Sequence, residues 1–290
     1  MLRLLLRIVT CVVLVRCCEL SAAEPLQLTK DGRVKSDLYI TPKGDELFYV
    51  SEDEGKLLAL RRYRFADKTN ERINPQGTTS ELAPSISADG RYLAYVRNDG
   101  NLHVQLVIED KTSGEATKYN PGSGFAGIRY ATLLPNAARL LFAFPEDRGQ
   151  QIFSLSLDGK ERTALTDGAG IDVGPRVSAD SQRVVFASSR EGNFEIYTMD
   201  VTGKALLQLT DHPALDTHPS WSPDGKQIAF ASLRDGNFDL YIMQADGSNV
   251  RRVTATPERE DYPVWHPAGK ELLYLSDRRG KTEIYQQPLP

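Results

Sequence analysis

The stretch Asp216–Thr254, DTHPSWSPDGKQIAFASLRDGNFDLYIMQADGSNVRRVT, recurs along the chain and dictates what that chain can fold into. It holds four strand-like runs: PSWS, QIAFAS, FDLYIM and VRRVT. Turn signals follow the first three: Pro223-Asp224-Gly225, Arg234-Asp235-Gly236-Asn237 and Asp246-Gly247-Ser248. Asp-Gly between apolar runs marks a tight hairpin, because glycine accepts the positive φ that such turns need. The stretch therefore reads as a four-stranded antiparallel meander.

A close copy spans Asp172–Thr210, and others start at Glu260 and at Glu81. Weaker copies start at Asp37 and at Ile128. The turn after the first strand falls at Gly44, Gly90, Ala137, Ser181, Gly225 and Gly269, at spacings of 46, 47, 44, 44 and 44 residues. A near-fixed period with four strands per repeat is the signature of a propeller blade. The last copy stops after its third strand. Its missing fourth strand, which should resemble LLQLT or VRRVT, is supplied by Leu26-Gln27-Leu28-Thr29 near the start of the chain. Pairing the two chain ends closes the ring and removes exposed strand edges. The expected fold is all-β: a six-bladed β-propeller of four-stranded antiparallel blades, closed by strand 26–29, in a single domain over 24–290.

Residues 1–23 read as a secretory signal peptide outside that fold. Arg3 and Arg7 give a positive start, Ile8 to Val15 a short apolar core, and Ser21-Ala22-Ala23 the small residues of a cleavage site. The apolar run is too short to span a bilayer, which takes about 20 residues. All three cysteines lie in this leader, so the mature chain is expected to have no disulfide and no thiolate chemistry. The whole chain carries a net charge of −4, and the leader holds three Arg and one Glu, leaving −6 without it. An acidic chain gives no electrostatic case for nucleic acid, which needs a basic surface.

The repeated polar positions are the handle on function. An acid stands three residues before the proline that opens the inner strand: Glu81, Asp172, Asp216 and Glu260. An arginine stands at the second hairpin: Arg97, Arg148, Arg190, Arg234 and Arg278. In an up-and-down blade both places lie on one face. Two readings follow. The acids form a carboxylate ring at the channel mouth, able to hold a cation or a basic partner. Alternatively, each acid pairs with its arginine and fixes the turn, and the matched occurrence of the two favours pairing. His218 begins the inner strand of the fifth repeat. His212, Asp216 and His218 are the weak candidates for a metal, though no ligand spacing demands one. His218 and His266 lie too far apart along the strand to share an ion. No Gly-x-Ser-x-Gly is present. Trp221 and Trp265 recur at one position and Tyr197, Tyr241 and Tyr285 at another, as expected of packing between blades.

The repeat P-x-W-S-P-D-G-K-x-I-A-F-x-S-x-R-D-G-N-x-D-L-Y, seen in full at Pro219–Tyr241, resembles that of TolB-type propellers. The resemblance covers the chain after the leader and is strongest from Asp172 onward. It implies a periplasmic or otherwise exported protein that binds envelope proteins. TolB proteins carry an α/β domain before the propeller, whereas here the propeller follows the leader directly. The resemblance thus points to a monomeric, non-enzymatic propeller without cofactor. It would bind a protein or cell-envelope component through one face, with Glu81, Asp172, Asp216, His218 and Glu260 as the candidate face. A distant propeller lyase that uses histidine-bound metal on oligogalacturonate supplies the alternative, a metal-assisted oligouronate lyase.

Overall fold

The computed structural model describes residues 24–100, 103–122, 127–146 and 149–289. The proposed leader and Arg148 lie outside these residues. The strands form six four-stranded antiparallel sheets, five of them in chain order from the inside outward and the sixth completed on its outside by a strand from the chain's start, so the all-β six-bladed propeller is the fold. Blade 1 comprises Lys35–Ile40, Glu46–Glu52, Leu58–Arg64 and Asn70–Arg72; blade 2 Ser80–Ile86, Tyr92–Asn98, Val104–Asp110 and Ala116–Tyr119. Blade 3 comprises Arg129–Leu133, Leu140–Glu146, Gly149–Leu155 and Arg162–Ala164; blade 4 Asp172–Val177, Arg183–Ser188, Glu195–Asp200 and Leu207–Gln208. Blade 5 comprises Asp216–Trp221, Gln227–Ser232, Asp239–Gln244 and Arg251–Arg252. Blade 6 takes Glu260–Trp265, Glu271–Ser276 and Glu283–Pro288 from the end of the chain, and Leu26–Gln27 from its start.

The first hairpin of blade 5 shows why the repeat turns where it does. Gly225 takes a φ of 65° and its amide donates to the Ser222 carbonyl at 2.9 Å. The Ser222 hydroxyl reaches the Asp224 carboxylate at 2.7 Å, and that carboxylate also accepts from the Lys226 amide at 3.1 Å. Side chain and backbone thus agree on one tight turn. Ala137 and Ser181 adopt the same left-handed conformation without being glycine.

Each seam between blades holds one apolar core. Val185, Ala187 and Ile196 of blade 4 meet Trp221, Ile228, Phe230 and Met243 of blade 5. One seam on, Ala229 and Leu240 meet Trp265 and Tyr274. Both tryptophans pack between blades as the repeat implies. Phe186, Phe230 and Tyr274, at equivalent places, are fully buried. Burying side chains of this kind contributes about 1.5–3 kcal/mol each, so the seams dominate stability.

Closure repeats a device used inside the blades. In blade 4 the Thr210 hydroxyl donates to Glu195 and accepts from the Ile196 amide at 2.8 Å. In blade 5 Thr254 does the same with Asp239 and the Leu240 amide. In blade 6 the threonine is Thr29, which binds Glu283 and accepts from the Ile284 amide at 3.0 Å. Leu26 pairs with Gln286 and Gln27 with Tyr285. The buried Lys35 ammonium then joins Glu283 at 3.0 Å, tying blade 1 to blade 6.

A candidate binding face at the channel mouth

Every inner strand slips register near its start. The breaks fall between Ser36 and Tyr39, Leu82 and Ser85, Arg129 and Thr132, Val173 and Arg176, Thr217 and Ser220, and Asp261 and Val264. Inside each bulge one residue has a left-handed backbone: Asp37, Ala83, Tyr130, Gly174, His218 and Tyr262, with φ between 49° and 62°. Four of them precede proline, which favours extended geometry instead. Only Gly174 adopts this conformation without a Cβ penalty; at the others such geometry costs on the order of 1–3 kcal/mol. The bulges set these residues around the channel mouth, on the face where the inner strands begin.

The side chains form a connected polar site. His218 stacks on Tyr262 with ring centroids 3.8 Å apart and planes 23° from parallel. His218 Nδ1 lies 2.7 Å from Asp261 Oδ1. Asp261 also accepts from Arg259 Nη2 at 2.6 Å and from the Tyr262 amide at 2.8 Å. Burial pushes the Asp261 carboxyl up, but His218 and Arg259 outweigh it and hold the group below the usual carboxylate range. Burial, with Asp37 nearby, pushes the Tyr130 and Tyr262 phenols up. Arg176 of blade 4 crosses to blade 1, where Nη2 donates to the Leu38 carbonyl at 3.2 Å. Burial lowers its guanidinium pKa, and Asp37 and the surrounding tyrosines oppose that shift.

Two adjoining cavities open on this face. One of about 310 Å³ sits at the seam of blades 6 and 1, beside Val34, Arg259 and Tyr262. The other, about 220 Å³, is bounded by Asp37, Tyr130, Tyr262 and Leu82. Beneath them Asp37, Tyr130 and Arg176 enclose only about 10 Å³, room for one water. Arg176 therefore floors the mouth.

The acids predicted for this face lie elsewhere in their environment. Asp172, Asp216 and Glu260 are fully buried. Arg190 reaches Asp172 at 3.1 Å, Arg234 reaches Asp216 at 2.8 Å, and Arg278 bonds Glu260. Each arginine also donates through Nε to Ser188, Ser232 or Ser276 and lies over Tyr197, Tyr241 or Tyr285. Pairing thus holds in blades 4, 5 and 6. It fails in blade 2, where Glu81 accepts from Asn74 at 2.6 Å and Arg97 pairs with Asp99 at 3.0 Å. There the arginine sits within the strand, in register with Glu81, instead of in the turn beyond it. His218 alone of the predicted set joins the mouth cluster. His212 Nδ1 accepts from the Ala214 amide, so His212, Asp216 and His218 do not converge. Among the described residues no three His, Cys, Asp or Glu side chains are grouped as a metal site, so the donors present do not fit the ion of a metal-assisted lyase. His266 packs edge-on against Phe65 and beside Gly44 at the far end of the blades.

The sequence model of the TolB beta propeller domain matches residues 46–210 and 161–290. The chain belongs to the TolB β-propeller family. A TolB-type protein of Agrobacterium tumefaciens superposes with a TM-score of 0.68 at 21% identity, covering 91% of this chain and 93% of that one. TolB of Acinetobacter baumannii gives 0.65 at 19%, covering 88% of this chain and 63% of its own length. An oligogalacturonate lyase of Vibrio parahaemolyticus gives 0.60 at 13%, over 91% and 93% of the two chains. At these identities the structural likeness is one of fold. No curated protein sequence matches.

The residues that build the mouth, Asp37, Tyr130, Arg176, Asp261 and Tyr262, were not singled out by sequence. The signal lay in the repeat: two residues after the acid and just before a constant proline the copies read Ala83, Gly174, His218 and Tyr262.

Proposed function

We propose that this TolB-family propeller is an exported, non-catalytic binding protein that takes a protein or cell-envelope component on the face where its inner strands begin. One observation carries the reading: side chains are kept at bulge positions where glycine would relieve strain, and they project around a mouth closed from behind by Arg176. A site strained in this way, with aromatic and charged groups beside two cavities, suits recognition at its rim and not passage through the channel. The basic start, apolar core and small-residue site of residues 1–23 support export.

Two measurements test this. Placing a photo-crosslinking amino acid at Tyr262 or His218 in cells should trap a partner that the same probe at Val250, on the outer rim, does not. Adducts only from the rim would overturn the assignment of the face. Fractionation followed by N-terminal sequencing should find the protein outside the cytoplasm and beginning at Glu24; an intact Met1 in the cytosol would overturn export.

A further inference from the structure

The cavity of about 220 Å³ has a chemistry of its own. Its walls include Leu58, Leu82, Val96 and Ile128. Asp37 and Arg129 line it together with the rings of Tyr130 and Tyr262. One Asp37 oxygen accepts from the Ser36 hydroxyl at 3.1 Å and the Ala83 amide at 3.4 Å. Among the described residues the other oxygen bonds no protein atom, and neither Asp37 nor Arg129 forms an ion pair. The phenol hydroxyls of Tyr130 and Tyr262 likewise bond no protein atom there. Asp37 offsets the Arg176 charge at longer range, yet the void between them leaves room for one water only.

A carboxylate, a guanidinium and two phenol hydroxyls, these last three without a side-chain partner among the described residues, surround an apolar pocket and are jointly complementary to a small zwitterion. Arg129 is exposed and Asp37 half-buried, so both are open to a ligand, whose own charges need opposite charges or hydrogen bonds to meet them as they leave water. The cavity is smaller than the roughly 300–1,000 Å³ of drug-sized sites, which suits a single amino acid. We infer that it binds an aliphatic α-amino acid. Asp37 accepts from the ammonium, Arg129 donates to the carboxylate, and the tyrosine hydroxyls complete the polar contacts. The leucine and valine walls take the side chain, and Arg176 below keeps the ligand at the mouth.

Isothermal titration of the purified protein with L-leucine, N-acetyl-L-leucine, L-leucinamide and L-leucyl-L-leucine tests this. Leucine should bind with one-to-one stoichiometry and at least tenfold more tightly than any of the other three, each of which loses or displaces one charge. Asp37→Asn keeps a residue tolerant of left-handed backbone. It should weaken leucine at least tenfold while leaving N-acetyl-leucine unchanged, and Arg129→Gln should leave leucinamide unchanged in the same way. No leucine binding, equal binding of the analogues, or equal binding of the dipeptide would overturn the assignment. None of these results bears on crosslinking from His218, so the partner reading stands or falls separately.

Discussion

Blades 4 to 6 and blades 1 to 3 solve the same burial problem differently. In the later blades an acid at the start of the inner strand is sealed under an arginine, a serine and a tyrosine. In blade 2 the acid finds an asparagine, and burial raises its carboxyl pKa with that amide opposing only in part. In blade 1 the position is Lys35, bound to Asp31 and Glu283. In blade 3 it is the apolar Ile128. The strict repeat supplies a self-contained tie. Where the repeat drifts, the strand starts are released to build the ring closure and the cavity beside Asp37 and Tyr130.

The sharpest break of this comparison is to remove one arginine from each half. Arg234→Met leaves the fully buried Asp216 uncompensated, which should cost about 3–5 kcal/mol. Arg97→Met removes a half-exposed pair with Asp99 and should cost no more than about 1 kcal/mol. Urea unfolding of both variants decides it; equal losses would mean that the two turns are equivalent after all.

A smaller effect probes the closure. Thr29→Val deletes the hydroxyl that serves Glu283 and the Ile284 amide, and should cost about 1–3 kcal/mol by leaving buried groups unmet. Thr210→Val, inside blade 4, should cost the same if closure is only another copy of the repeat. A far larger loss for Thr29 would mark the chain ends as the weak seam.

Acid titration of stability separates Glu81 from Asp261. Glu81 binds its proton more tightly folded than unfolded, because burial raises its pKa. Its contribution is therefore greatest at low pH and falls as pH climbs from the ordinary glutamate value through the raised one. Asp261 is held low by His218 and Arg259 against the pull of burial. Its contribution is complete above the ordinary aspartate value and is lost as pH falls through the folded one. Glu81→Gln should remove the decline on the high-pH side of that range, and Asp261→Asn the decline at the acid end. Thermal melts across pH 3 to 7 in roughly half-unit steps read both; unchanged slopes would deny the two carboxyls these roles.

The repeat made most of this architecture legible. Six turns at near-constant spacing fix the blade count, and Leu28-Thr29 echoes Leu209-Thr210 closely enough to name the closing strand. The Asp/Glu–Arg pairs of blades 4 to 6 also follow from matched spacing. The mouth did not follow, because repetition reports what blades share while the site uses what they do not. Asp261 stands where other copies have Leu82, Val173 and Thr217, and Arg176 where they have Ser85 and Ser220. Nor does sequence signal a left-handed residue before proline, since the local preference runs the other way.

The smallest effect bears most directly on the site. Ala83 and Gly174 occupy the same bulge in blades 2 and 4, with φ of 50° and 62°. Ala83→Gly relieves strain of about 1–2 kcal/mol and loosens the unfolded chain by about 0.4–1 kcal/mol, so the protein should gain about 0.5–1 kcal/mol. Gly174→Ala should lose a similar amount, since open space receives its Cβ and only the backbone resists. If both variants move as stated, the left-handed bulge is an imposed geometry that the fold maintains at every blade. The tyrosines and histidine kept there then stand against a stabilising alternative, which is what a binding role for the mouth requires. If Ala83→Gly is neutral, the bulge is unstrained and the presence of His218 and Tyr262 says nothing about selection for a ligand.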